Sequence, residues 1–157
     1  MRPIWRQRNI RGKVNMDRGV IYGDEELLLS LFYNLLDNAV KAMDSERDGL
    51  ILFKGTALKD GYEVKVVDNG RGIPTEEIGR ITEAFYMVDK SRSRKEGGAG
   101  IGMALCQRIV QIHKAVLNIN STLGEGTVMQ IRFPGTVEAL FAEDDDGRMS
   151  IAESEEI

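Results

Sequence analysis

Asn34, Asn38 and Lys41 are spaced four and three residues apart in the segment NLLDNAVKAM (34–43). On a helix that spacing lines them along one stripe. Mg²⁺ takes hard oxygen ligands and keeps several waters and phosphate oxygens around it. A side-chain amide such as that of Asn38 supplies one such oxygen without adding negative charge beside a polyphosphate. Lys41, about one turn further on, can offset phosphate charge. Asparagine is a poor helix former, so two of them beside a lysine call for a reason, although a solvated helix edge would also hold them.

Three further segments carry chemistry. In VVDNGRGIP (66–74), Asp68 ends an apolar run and precedes Gly70 and Gly72. A buried carboxylate only accepts hydrogen bonds, so it suits the exocyclic amine of adenine. Guanine would oppose it with a carbonyl oxygen, and an unsatisfied buried polar group costs about 1–3 kcal/mol. Asp-Asn-Gly is also ordinary turn chemistry, and both readings stand on this segment alone. In GGAGIGMALCQRIV (97–110), Gly97, Gly98, Gly100 and Gly102, with Ile101 between the last two, open a helix. Glycines there free backbone N–H groups to face phosphate, helped by the helix dipole, and they equally make a hinge. The spacing matches neither G-x-G-x-x-G nor G-x-x-x-x-G-K-[ST]. Between these segments runs a basic loop with Lys90, Arg92, Arg94 and Lys95.

The elements that would position these residues follow from periodicity and punctuation. Residues 1–22 read as one or two strands ending at Val20-Ile21-Tyr22. Asp24 is placed to cap a helix running to about Asp44, with Glu25 and Glu26 at its positive end. Leu28, Leu31, Phe32, Leu35, Leu36 and Ala39 recur at helical spacing on its core side. Leu50–Leu58 and Tyr62–Val67 read as strands joined by Lys59-Asp60-Gly61, where glycine would supply positive φ. A short helix is expected near Thr75–Ala84, capped by Thr75, and another from Gly100–Gly102 to His113 with Leu105, Ile109 and Ile112 inward. The last hairpin, Val116–Asn120 with Thr127–Phe133, turns at Leu123-Gly124-Glu125-Gly126. Thr127, Met129, Ile131 and Phe133 alternate onto one face. Helices between antiparallel hairpins make an α+β, two-layer sandwich.

Composition sets bounds. At 157 residues the chain fits one domain, expected over residues 1–134, followed by an acidic tail over 135–157 that is poor in core formers and reads as disordered. Arg2, Arg6, Arg8, Arg11 and Lys13 make the start basic; Glu138, Glu143, Asp144, Asp145, Asp146, Glu153, Glu155 and Glu156 make the tail acidic. No nucleic-acid recognition motif accompanies the basic start, so no nucleic-acid partner is expected. No apolar run approaches the roughly 18–20 residues of a membrane helix. The single cysteine, Cys106, rules out an intramolecular disulfide framework, fits a reducing cytosol and reads as a small buried thiol.

In order and spacing, the four segments NLLDNAVKAM, VVDNGRGIP, EAFYMVDKSRSR (83–94) and GGAGIGMALCQRIV resemble the N, G1, F and G2 boxes of the ATP-binding domain of sensor histidine kinases. These belong to the GHKL superfamily shared with DNA gyrase, MutL and a heat-shock chaperone. The resemblance covers about residues 20–134, including a terminal G-x-G-T…P stretch (Gly124–Pro134). It implies a Bergerat-type fold, a mixed, mostly antiparallel sheet on about three helices. Read across, Asn38 resembles the Mg²⁺ ligand, Asn34 its partner, Lys41 a phosphate contact and Asp68 the adenine reader in the Gly70–Gly72 loop. Gly98, Gly100 and Gly102, with Ile101, resemble the lid hinge. Lys90, Arg92 and Arg94 resemble the lid's basic residues, Phe85 the aromatic that anchors it, and Thr127 a member of the adenine-site hydrogen-bond network. Met87 departs from the basic residue that many members carry, and Lys114-Ala115 replaces the usual Gly-Gly after His113.

The resemblance also bears on the reaction. Hydrolytic relatives and anti-sigma serine kinases place a glutamate general base four residues before the metal asparagine; Asn34 stands there here, and its amide cannot take a proton. His113 lies within the proposed core helix, not in the H-[ED]-x-x-[RK]-like context of a phosphoacceptor, and is read as structural. The expected activity is therefore binding of ATP–Mg²⁺ and donation of the γ-phosphoryl group to a histidine on a separate helical dimerisation domain. Lys41 and Arg94 would stabilise phosphate, with no general base or acceptor on this chain. A response regulator would be an indirect partner, and the setting cytoplasmic, as in the cytoplasmic portion of a membrane-anchored sensor. The alternatives are a GHKL-type ATPase or anti-sigma-like serine kinase, and a nucleotide-binding pseudokinase or interaction module.

Overall fold

A computed structural model describes residues 5, 9–84, 86–87 and 100–136 of the chain. In chain order the elements are β1 (Ile10–Met16), α1 (Glu25–Ala42), β2 (Gly49–Leu58), β3 (Gly61–Asp68), a 3₁₀ turn (Thr75–Glu77), α2 (Gly102–Ile112), β4 (Val116–Thr122) and β5 (Gly126–Pro134). The sheet order is β1-β2-β3-β5-β4. Only the β1–β2 pair is parallel; the other three are antiparallel. The expected α+β sandwich is thus observed, with α1 and α2 on one face of the sheet.

The helix-facing side of the sheet is the core. Strand alternation places Tyr62, Val64 and Val66 of β3 and Thr127, Met129, Ile131 and Phe133 of β5 inward, all buried. Leu28, Leu31, Leu35 and Ala39 of α1 meet them, with Phe32 and Leu36 packed at the margin. Phe32 stands edge-on to Phe53 and Phe133 at ring-centroid distances of 5.6 and 6.2 Å, a favoured aromatic geometry. Asp24 caps α1 as its sequence position implies, its Oδ1 accepting from Leu27 N–H at 2.8 Å.

Four local expectations are corrected. Val20-Ile21-Tyr22 is not a strand. Pairing with β2 stops after Asp17: its N–H still donates to the Gly55 carbonyl at 2.9 Å, but its carbonyl accepts from the Tyr62 hydroxyl and its carboxylate takes the Ala57 N–H. The helix expected near Thr75–Ala84 is a 3₁₀ turn followed by further i→i+3 bonds, Glu77 to Pro74, Arg80 to Glu77 and Glu83 to Arg80. Thr75 does not cap it, and Gly79 in mid-segment costs about 1 kcal/mol of helix propensity relative to Ala. Gly61 lacks the positive φ expected of it; it is the first residue of β3, where a Cβ would strike the Phe133 carbonyl. Leu105 is exposed, not core. The inward stripe of α2 is Cys106, Ile109 and Val110: Ile109 is buried as expected, while Cys106 and Val110 take the inward places read for Leu105 and Ile112, because Gly102 and Cys106 are the positions that face α1.

Candidate nucleotide site

Asn34 and Asn38 lie on one stripe of α1, and Asn34 faces the start of α2. Asn34 donates from Nδ2 to the Ser30 carbonyl at 2.8 Å. Its Oδ1 would lie 3.0 Å from a Cβ on Gly102, so the first turn of α2 is seated closely against this amide. Asn38 Nδ2 is buried and has no hydrogen-bond partner among the described residues. Buried polar groups are otherwise almost always paired, so an unpaired N–H donor here fits a ligand that brings an acceptor such as a phosphate oxygen. Lys41 is paired with Asp37 at 2.7 Å, both side chains about one-third exposed; sequence reading did not anticipate Asp37 as its partner.

Asp68 ends β3 opposite Thr127 of β5. It is buried, and its Oδ1 accepts from Gly70 N–H at 2.8 Å. Burial pushes its carboxyl above the ordinary value, opposed by the backbone N–H groups of Gly70 and Thr127 and by the charge of Arg71. Gly70 lies directly under the last turn of α1: a Cβ would sit 2.6 Å from the Ala42 carbonyl oxygen. Gly72 has φ +70° and faces the Thr122 carbonyl, so only glycine fits there without strain. Thr127 is buried and shares a hydrogen bond with Ser121, Oγ1 to Oγ at 2.8 Å. Ser121 is the hub that sequence reading missed, since its Oγ also accepts from Ile73 N–H and reaches the Gly126 carbonyl. Its only signal in the sequence is a serine placed one residue from the end of a strand.

Gly100 has φ +71°, Ile101 is exposed, and no side chain caps the start of α2. The N-cap residue Ile101 offers no side-chain acceptor to the first N–H groups of that helix, which suits a phosphate-facing helix start. Lys90, Arg92, Arg94 and Gly98, together with Phe85, lie outside the described residues.

Residues 23–137 match the family of histidine kinase-, DNA gyrase B- and HSP90-like ATPases. The chain belongs to this family. Among curated relatives, the sensor protein kinase WalK of Staphylococcus haemolyticus (strain JCSC1435) is 36% identical over 111 residues, 71% of this chain and 18% of that protein. WalK of Staphylococcus aureus is 34% identical over 111 residues, 71% of this chain and 27% of that protein. The chain therefore spans about a fifth to a quarter of the relatives it matches. Among solved structures, the mycobacterial sensor histidine kinase MprB superposes with a TM-score of 0.71 at 26% identity, covering 85% of this chain and 88% of that one. Full-length ShkA in complex with AMPPNP gives 0.71 at 25% identity, covering 89% and 29%.

Within this ATPase-family fold His113 is structural. It is buried, its Nε2 accepts from Asp24 N–H at 3.0 Å, and its Nδ1 lies 2.8 Å from the Ile109 carbonyl. The first bond requires a bare Nε2, so the proton is on Nδ1, donated to Ile109. Both ring nitrogens are used, and the imidazole locks the end of α2 to the start of α1. Cys106 is likewise inert: fully buried, its thiol is pushed up to about 12. Among the described residues no helix is long and apolar enough to cross a membrane.

Proposed function

We propose that this domain binds ATP with Mg²⁺ and donates the γ-phosphoryl group to a histidine on a separate helical dimerisation domain, as the catalytic part of a two-component kinase with a response regulator downstream. The observation that carries the reading is the buried Nδ2 donor of Asn38, unpartnered among the described residues, on the stripe it shares with Asn34. Its Oδ1 would serve as a neutral ligand to Mg²⁺ and its Nδ2 as a donor to a phosphate oxygen. The metal would supply charge neutralisation, while this chain's residues bind and orient. Asp68 would read the adenine amine, supported by its burial and its acceptor-only chemistry. Lys41 would exchange Asp37 for phosphate, and Lys90, Arg92 and Arg94 would add basic contacts to the phosphates, as the resemblance implies, with Gly98, Gly100 and Gly102 as the hinge. Phosphoryl transfer of this kind is mainly positioning and charge neutralisation. That matches a site with an amide, not a carboxylate, at position 34, and with its one histidine engaged in the core.

The reading is tested by incubating the chain with γ-labelled ATP and Mg²⁺, alone and with a cognate helical domain carrying a histidine. The expected result is nucleotide binding by calorimetry, no label on this chain and label on the added domain. Label retained on this chain overturns the assignment of the acceptor. Steady phosphate release abolished by Asn34→Ala would mark a hydrolase, and binding without transfer an interaction module.

A further inference from the structure

The loop that carries Asp68 is held from behind by a segment that no motif marks. Each of the three residues after Asp68 is bonded to the last turn of α1 or to the connection between α1 and β2. Asn69 donates from Nδ2 to the Asp48 carbonyl at 3.1 Å and accepts on Oδ1 from Leu50 N–H at 2.7 Å. Arg71 donates from its backbone to Ala42 at 2.9 Å and from Nη1 to the Lys41 carbonyl at 3.1 Å. Between them, Arg47 donates from Nη2 to the Gly70 carbonyl at 2.7 Å and from Nη1 to the Gly124 carbonyl at 3.1 Å, joining the Asp68 loop to the β4–β5 turn.

Gly70 is where these ties meet the carboxylate. Its N–H is bonded to Asp68 Oδ1 and its carbonyl to Arg47. The close approach of Ala42 excludes any Cβ at this position, and the glycine so required is also the residue whose backbone turns most freely. A planar guanidinium can restrain it by presenting two N–H donors to two carbonyls at once, which an ammonium point charge does not match in geometry. We infer that Arg47 is a positioning residue for base recognition: by fixing the Gly70 peptide it holds the Asp68 carboxylate in the orientation that discriminates adenine. The inference rests on the reading of Asp68 proposed above.

The test measures affinity for Mg²⁺-ATP and Mg²⁺-ITP, the latter with a carbonyl in place of the amine that Asp68 would accept from. The proteins are the unmodified chain, Arg47→Met, Arg47→Lys, Asp68→Asn and the double variant Arg47→Met/Asp68→Asn. The unmodified chain should prefer ATP; equal affinity sinks the reading of Asp68 itself, and the role of Arg47 with it, before any variant is compared. With that preference in place, Arg47→Met should weaken ATP about tenfold, the loss of roughly one well-made polar restraint. It should leave ITP nearly unchanged and cost nothing further in the Asp68→Asn background. Arg47→Lys should behave like Arg47→Met, and it carries the same comparison if the methionine variant does not fold. Equal loss for ATP and ITP, or an undiminished loss on top of Asp68→Asn, would reduce Arg47 to a general staple between loops and overturn the inference.

Discussion

Asp68 is carried at a cost to the folded chain. Burial raises its carboxyl above the ordinary value, and the Gly70 and Thr127 N–H groups and the Arg71 charge only partly offset this. The sign follows directly. A carboxyl that holds its proton more tightly when folded makes the folded state less stable as pH rises from the ordinary carboxylate range through the raised value. At neutral pH the full penalty is in place. Asp68→Asn removes the charge but keeps an oxygen to accept from Gly70 N–H. The expected outcome without nucleotide is a urea midpoint at neutral pH equal to or above that of the parent, with the advantage vanishing below the ordinary carboxylate range. ATP affinity should fall tenfold or more, as for a lost charged acceptor worth about 1.5–3 kcal/mol. A variant that is less stable at neutral pH would show that the carboxylate serves the fold, not the ligand. The burial of Asp68, the stripe shared by Asn34 and Asn38 and the tight approaches at Gly70 and Gly72 were legible in the sequence because an apolar run, helical spacing and glycine clustering are local signals. Arg47, Asn69 and Ser121 were not, because each acts on a loop distant in the chain and belongs to no repeating pattern.

At the scale of the elements, α2 ends in a Schellman motif. Ala115 N–H donates to the Val110 carbonyl and Lys114 N–H to Gln111, both at 3.0 Å. The residue that must turn left-handed is Lys114, with φ +50°, at the place where the sequence departs from the Gly-Gly of the family resemblance. A left-handed conformation costs a non-glycine residue about 1–2 kcal/mol, reduced by the unfolded-state entropy that glycine would lose. Lys114→Gly should therefore raise unfolding free energy by about 0.5–1 kcal/mol, read as a higher denaturant midpoint at unchanged slope. A lower midpoint would mean that the lysine side chain returns more than its backbone loses. Periodicity also sets how far the elements themselves can be read. α1 and the β3–β5 core were legible because long apolar repeats with caps leave one solution. The turn of Lys114, the end of β1 at Asp17 and the i→i+3 run after Pro74 were not, since each is decided by a tertiary hydrogen bond or one backbone angle.

Among the described residues, α1 and α2 cover one face of the sheet, and the other carries a cluster of polar contacts across strands. Glu63 is the centre of that face. It lies opposite Arg132 in the β3–β5 register, is ion-paired with Lys65 at 2.9 Å and Arg132 at 3.4 Å, and accepts from Gln130. The Lys65 hydrogen bond, with help from Gln130 and the charges of Lys65 and Arg132, holds its carboxyl below the ordinary value in spite of burial. Here the sign is the reverse of that at Asp68. A lowered folded value means stability that is fully present above the ordinary carboxylate range and is lost as pH falls through the folded value. Glu63→Gln keeps the size and one acceptor but removes the charge. At neutral pH it should cost about 1 kcal/mol, the scale of a partly shielded ion-pair network. The gap should close at a pH below the folded value and narrow in high salt. Equilibrium unfolding of parent and variant at the two pH values decides the matter. A gap that persists unchanged in acid would mean that this face is held by packing around position 63 and not by its charge.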